Sequence, residues 1–205
     1  MKLHNGMSPN GARVSIFLAE KGIDLPVQPV DIMQGETRAE PFLSVNPLGE
    51  VPVLELDDGR YLTESIAICR YLEALNPKPA LFGDTPEEQA FVEMWNRRME
   101  LRLFNVVGDV GRHEFELFKD QIEQVPAFAS VQRGQFQERL KWFDAEMSDG
   151  RAFVAGDSFS VADITGMAML LLCGFAQIEI PQTLTHARRW AASVMSRASW
   201  PMPPA

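Results

Sequence analysis

Asn46 to Leu72 reads NPLGEVPVLELDDGRYLTESIAICRYL, and this stretch decides the fold of the N-terminal part of the chain. Val53 to Leu56 is an apolar run suited to a buried strand, Asp58-Gly59 is a tight hairpin turn, and Tyr61-Leu62 is the return strand. Glu64 and Ser65 then open a helix whose apolar face is expected to carry Ile68, Tyr71, Leu72 and Leu75. Pro52 is out of place in such a pattern, because proline cannot donate a hydrogen bond and seldom enters a strand. A cis bond between Val51 and Pro52 would turn the Val51 backbone outward, where it could pair with an extended peptide. The free amides of the neighbouring helix N-terminus would receive a carboxylate. The combination predicts a site for a small acidic peptide.

Outward from this stretch the order is strand, helix, strand. Leu3-His4 is a short strand, Ala12 to Lys21 a helix stopped by Gly22, Val27 to Asp31 a second strand, and Pro41 to Ser44 a short helical turn. With the hairpin and the Ser65 helix this makes a β-α-β then β-β-α order, consistent with an α/β thioredoxin-like domain over residues 1–76. Asn76-Pro77-Lys78-Pro79 begins a linker over 77–85. Residues 86–205 carry no strand signal and form an expected all-α domain. Thr85-Pro86-Glu87-Glu88 is a capping box with proline at the first helical position. Phe136, Leu140, Phe143 and Met147 make an amphipathic stripe that ends near Asp149-Gly150. Ser160 to Asp163 is a second capping box, flanked by Phe159 and Ile164 at staple positions, and a last helix is expected from His186 to Arg197. The tail from Trp200 to Ala205 reads as an extended strap, and Gly108 to Val125 carries the weakest pattern.

The chain has 205 residues and a net charge of 19 − 28 = −9, with no basic stripe to offset it. That balance argues against nucleic acid and anionic membrane as partners. Lys2 is followed by Asn5, Gly6, Ser8, Pro9 and Asn10 rather than an apolar run, so no signal peptide is expected. Cys69 and Cys173 stand far apart on apolar helices without metal spacing, which predicts small buried core residues and a reducing, cytoplasmic setting. His4, His113 and His186 share no ligand spacing, and no metal site is assigned.

Two segments together resemble a known family. N-P-x-G-x-V-P-x-L followed by E-S-x-A-I-x-x-Y-L, and FVAGDSFSVADI from Phe153 to Ile164, are similar to the two signatures of the cytosolic glutathione transferases, in the family's order and spacing. The loop SPNGARVSIF resembles theta-class enzymes, with a serine at the Ser8 position, and equally the bacterial nu class, with an asparagine at the place of Asn10. The absence of a cysteine in this loop, of an early tyrosine and of an SSCS run sets the chain apart from the other common classes.

The resemblance implies glutathione as co-substrate, a small hydrophobic electrophile or a peroxide as its target, a homodimer, and a role in detoxification. It implies that Ser8, or else Asn10, donates to the glutathione sulfur, although the same residues could cap the helix and shape a turn. It implies that Val51 exchanges backbone hydrogen bonds with the cysteinyl unit beside a cis Pro52. Glu64 would accept from the γ-glutamyl ammonium while Ser65 and the helix amides receive its carboxylate, and Thr37 and Arg38 would meet the glycyl carboxylate. Glu50 stands where some theta members carry lysine, which shifts the positive charge to Arg38 or Arg13, the latter expected to be exposed or interdomain. Met7, Met99, Leu103, Phe104, Val107 and His113 are candidates for the electrophile's pocket. Two other readings share the resemblance: a nu-like glutathione-dependent disulfide reductase, and a non-catalytic binding module of the same fold.

Overall fold

The computed structural model describes residues 1–201, so most of the expected C-terminal strap, from residue 202 onward, lies outside the described residues. Two units are present, Met1–Ala80 and Leu81–Trp200.

In the first unit, β1 (Lys2–Asn5), β2 (Val27–Pro29), β3 (Val53–Glu55) and β4 (Tyr61–Leu62) form one sheet in the order β2-β1-β3-β4. β1 and β2 are parallel, and the other two pairings are antiparallel, with Leu3 facing Val27 on one side and Leu54 on the other. The parallel pair needs a crossover, which α1 (Pro9–Lys21) supplies. Gly22 ends that helix in the left-handed conformation at φ 63°, as its position in the sequence predicts. Pro29 sits on the edge strand, where its missing N–H costs no ladder bond. The Asp58-Gly59 hairpin forms as expected, with Gly59 at φ 82° and Asp58 accepting from the Arg60 amide.

Alternation along β3 separates its two apolar residues onto opposite faces. Val53 joins Val30, Phe42 and Val51 in a cluster on the side of α2 (Glu40–Leu43), and α3 (Ser65–Leu75) packs on α1. This is the thioredoxin-like arrangement of a small mixed sheet with helices on both faces. The buried face of α3 is Ser65, Ile68, Cys69 and Leu72, whereas Tyr71 and Leu75, expected to share it, are exposed. The neighbouring helix selects the face: Ser65 and Cys69 are small enough to let α3 approach α1 on that side, which leaves the larger pair outward.

The second unit is all-helical among the described residues, apart from one isolated bridge between Phe153 and Gly156. The Thr85–Glu88 capping box is complete, with Glu88 N donating to Thr85 Oγ1 at 3.1 Å and Thr85 N to Glu88 Oε2 at 3.1 Å. It starts α4 (Pro86–Arg98), which passes through a π-wound segment at Met99–Phe104 into α5 (Asn105–Glu114). The weakly patterned stretch from Gly108 to Val125 begins inside α5 and continues into a short 3-10 turn at Glu116–Phe118. Then come α6 (Pro126–Glu146), α7 (Val161–Phe175) and α8 (Thr185–Met195). The predicted stripe of Phe136, Leu140, Phe143 and Met147 is fully buried. Gly166 of α7 lies against Trp190 of α8 so closely that a Cβ would stand 2.5 Å from the indole ring. Only glycine admits that approach.

Candidate functional site

α1 begins at Pro9, three residues earlier than its apolar pattern indicates, because proline fits the first helical position and Ser8 caps the end. Ser8 Oγ accepts from Gly11 N at 2.9 Å. Its hydroxyl proton has no acceptor among the described residues and remains available to a ligand. Asn10 therefore sits inside the first helical turn rather than in a loop, exposed, with its Oδ1 accepting from Arg13 Nη1 at 3.0 Å. That bond fixes the amide so that its N–H donors point away from Arg13. Gly11 holds the turn tight, since a Cβ there would meet Asn5 Oδ1 at 2.3 Å and the Gly6 carbonyl at 2.6 Å.

Arg13 departs from expectation. It is buried, 1 % exposed, rather than an exposed side chain. Its Nη1 donates to Asn10 and also to Ser65 Oγ at 2.7 Å, so one guanidinium ties the start of α1 to the start of α3. Since Ser65 Oγ accepts from Arg13, its own proton is directed elsewhere, toward any anion at the α3 N-terminus. Ser65 is itself buried. The signal for this role was present in the spacing: Arg13 lies three residues from Asn10, three from Ile16 and four from Phe17, on a face otherwise apolar.

Glu64 precedes Ser65 at φ 63° and ψ 112°, one of two non-glycine residues with positive φ among the described residues. Holding a side-chain-bearing residue there costs about 1–3 kcal/mol, and such positions concentrate at ligand sites. Its carboxylate makes no capping bond and is exposed, so the plain helix-cap role is not filled by this side chain. The Val51–Pro52 bond is cis, as expected. Val51 is buried, yet its N–H and C=O bond to no other backbone group among the described residues. β3 begins just beyond Pro52, so the proline stays out of the ladder.

Asn46 organises the loop that leads there. It is buried, donates from Nδ2 to the Glu50 carbonyl at 2.7 Å and accepts from Leu48 N at 3.2 Å. Gly49, at φ 64°, lies under Thr37 and Arg38, where a Cβ would stand 2.8 Å from the Thr37 carbonyl. Thr37 is buried and Arg38 exposed, with Nη1 on the Leu48 carbonyl at 3.1 Å. The N-P-x-G motif thus serves to fold this loop, and Arg38 braces it. Glu50 itself is exposed.

Among the pocket candidates, Met99, Leu103, Phe104 and Val107 are buried in the core of the second unit, while Met7 is exposed. His113 Nδ1 accepts from Val125 N at 3.1 Å and its ring meets Phe128 edge-on, a role in folding the stretch after α5. His4 pairs with Glu55 at 2.8 Å. Both cysteines are free and buried, and burial pushes each thiol up to about 12, which leaves neither as a nucleophile.

Comparison with known proteins shows the family. Residues 7–75 match the family model of the glutathione S-transferase N-terminal domain, and residues 113–198 that of the C-terminal domain. The chain is 36% identical to Glutathione S-transferase 2 of Saccharomyces cerevisiae over 195 residues, covering 93% of this chain and 83% of that one. The crystal structure of a glutathione S-transferase domain-containing protein from Marinobacter aquaeolei superposes with a TM-score of 0.91 at 38% identity, covering 98% of this chain and 100% of the other. That of a class Gtt2 glutathione S-transferase from Vibrio parahaemolyticus gives 0.85 at 33%, covering 98% and 95%. The chain belongs to the glutathione S-transferase family. It is a glutathione transferase enzyme, and glutathione is its co-substrate.

Proposed function

We propose that glutathione lies across the first unit with its γ-glutamyl end at Glu64 and Ser65, its cysteinyl backbone on Val51, its glycyl end toward Thr37 and Arg38, and its sulfur at Ser8 and Asn10. The observation that carries this reading is the single buried guanidinium of Arg13, bonded both to Asn10 and to Ser65, which places two expected contact groups under one cation. The Glu64 carboxylate accepts from the ligand ammonium, and the Ser65 hydroxyl with the α3 amides receives the ligand carboxylate. The Val51 N–H and C=O supply the two backbone bonds that an extended peptide needs.

At the other end the thiol gives up its proton to solvent. The Ser8 hydroxyl and the α1 N-terminus stabilise the thiolate that remains, which raises the competent fraction at neutral pH. The sulfur then attacks an electrophilic carbon, forming the C–S bond as the leaving group departs with its electron pair, or attacks a hydroperoxide oxygen, forming an S–OH bond as the O–O bond breaks and the alkoxide leaves to take a proton from water. A second glutathione thiol then converts the sulfenic acid to the disulfide with release of water. A nu-like disulfide reductase is the second reading. The Asn10 amide favours it, because its oxygen is held by Arg13 and its N–H donors are left for the sulfur. In keeping with the family we propose a two-fold homodimer and a reducing, cytoplasmic setting, the latter consistent with two free buried cysteines.

Retention on immobilised glutathione, followed by assays with chlorodinitrobenzene, cumene hydroperoxide and a glutathione-reducible disulfide, tests these roles. Ser8→Ala is expected to retain binding and to lose about 100-fold in kcat/KM. Loss confined to Asn10→Ala transfers the sulfur contact to Asn10, and failure of the wild type to bind glutathione removes the proposal. A solution mass twice the 23.0 kDa chain mass tests the dimer.

A further inference from the structure

Four pairs in the chain join an asparagine or aspartate to a following glycine: Asn5-Gly6, Asn10-Gly11, Asp58-Gly59 and Asp149-Gly150. In such a pair the glycine nitrogen, unshielded by a side chain, can attack the carbonyl carbon of the residue before it. In three of the pairs that nitrogen is engaged elsewhere. Gly11 N donates to Ser8 Oγ at 2.9 Å, Gly59 N to the Leu56 carbonyl at 3.0 Å and Gly150 N to the Met147 carbonyl at 3.4 Å. Gly6 N instead donates at 3.0 Å to Asn5 Oδ1, the oxygen of the amide it would attack, and to no backbone carbonyl among the described residues.

The fold enforces this pairing. A Cβ on residue 6 would stand 2.5 Å from the Val30 carbonyl oxygen, so only glycine can follow Asn5 here. The Asn5 side chain is held in place by α1, with Nδ2 donating to the Gly11 carbonyl at 3.3 Å and to Ser15 Oγ at 3.1 Å. Asn5 is half-buried at the end of β1, within reach of water. Asn10 is the more exposed asparagine, but Arg13 holds its side chain on one side while the Gly11 N–H turns back to Ser8 on the other. Exposure favours Asn10 as the reactive residue, and geometry favours Asn5.

We propose that Asn5 is a site of spontaneous deamidation whose product places a negative charge beside the Ser8 end of α1. The Gly6 nitrogen gives its proton to solvent base and bonds to Asn5 Cγ. The Cγ–Nδ2 bond then breaks, and ammonia leaves with a proton taken from water. The succinimide so formed takes up water at either carbonyl, giving aspartate or isoaspartate at position 5. Contact between the reacting groups in the folded chain favours the first step. Either product lacks the NH₂ that Asn5 gives to Gly11 and Ser15, and carries a carboxylate instead. Where a Cβ on Gly11 would stand, Asn5 Oδ1 is 2.3 Å away and Ser8 Oγ 3.0 Å, so the new charge is a close neighbour of the Ser8 hydroxyl. Its effect on the reaction rests on the placement of the glutathione sulfur at Ser8: a carboxylate there disfavours the thiolate and raises the thiol pKa.

The test ages the folded full chain in mildly alkaline buffer beside the same chain in urea, and follows both by peptide mass spectrometry. In urea both asparagines should gain the mass of exchanging NH₂ for OH at similar rates. In the folded chain the gain at Asn5 should run about tenfold or more ahead of that at Asn10. A folded chain that reacts first at Asn10, or at neither while the unfolded chain reacts at both, overturns the proposal. For the charge, Asn5→Asp is compared with Asn5→Ala, which loses the same two donors without adding a carboxylate. Both should melt below wild type, but only Asn5→Asp should move the pH profile of kcat/KM toward alkaline pH, by about one unit. Coincident profiles in the two variants overturn the link to the sulfur. Failure of the wild type to bind immobilised glutathione overturns that link as well, while the mass gain still decides the modification itself.

Discussion

At the scale of a single residue, the strained backbone of Glu64 is the feature that its proposed role toward glutathione accounts for. Its backbone holds positive φ although the carboxylate bonds to nothing within the described residues, so no folding role compensates for the strain. Glycine adopts that conformation freely. Glu64→Gly is therefore expected to raise the unfolding free energy by about 1 kcal/mol, read as a higher midpoint in urea titrations, while raising KM for glutathione about tenfold or more. A loss of stability with KM unchanged would remove Glu64 from the ligand site. Arg13 marks the opposite limit of reading residues singly. A charged side chain one turn into a helix is exposed by default, and only its i−3 relation to Asn10 and the apolar residues around it hinted otherwise. Its second partner, Ser65, is 52 residues away, and no local pattern reports such a contact.

Capping motifs were the most legible elements, because a cap is a local bargain between a few consecutive residues. Whereas the helix expected from Ala12 begins at Pro9 with Ser8 as its cap, Thr85–Glu88 and Ser160–Asp163 start helices at the positions they predict. What the last of these does beyond capping was not legible. Asp163 is fully buried, and each carboxylate oxygen accepts twice: Oδ1 from Val154 N and Trp190 Nε1, both at 2.9 Å, and Oδ2 from Ser160 N at 3.0 Å and Ser160 Oγ at 3.1 Å. Burial pushes its carboxyl above the ordinary range, and the four donors pull it back. An amide supplies one acceptor oxygen and would turn its NH₂ against the other pair of donors. Asp163→Asn is thus expected to destabilise the second unit by about 2–4 kcal/mol, read as a lower urea midpoint. A neutral outcome would mean that the capping bonds alone, about 1 kcal/mol, account for the residue. The bounds of α3's buried face failed for the converse reason, since Tyr71 and Leu75 obey helical spacing but the neighbour that selects a face belongs to another element.

At the scale of the whole molecule, charge sets the response to acid. Hydrogen bonds hold several carboxyls below their ordinary range: Glu55 from the His4 and Lys2 side chains, Asp149 from the Arg151 amide and guanidinium, and Glu114 from the Arg133 guanidinium. A carboxyl whose folded value is depressed stabilises the fold fully above its unfolded value and loses that contribution as pH falls through the folded one. Arg133 joins Glu114 of α5 and also reaches the Ala176 carbonyl at 3.0 Å, so it links α5 with the end of α7. Glu114→Gln is expected to cost up to about 1 kcal/mol at pH 7, and the difference from wild type should shrink as the pH falls below the ordinary glutamate range and through the depressed folded value. Urea midpoints at pH 7, 5 and 3 measure it, and a difference independent of pH would show that the ion pair is not its source.

Sequence alone determined the family and the class of its fold, and it predicted the cis proline and the helix start that the stretch from Asn46 to Leu72 contains. Strands, turns and caps are specified by residues a few positions apart, and their chemistry can be read along the chain. Tertiary structure decided the rest. It buried Arg13 between Asn10 and Ser65, turned Tyr71 and Leu75 outward, and placed most of the expected pocket residues in the second unit's core. Each of these depends on which distant segments share a surface, and that is set by packing of the whole fold rather than by any local pattern.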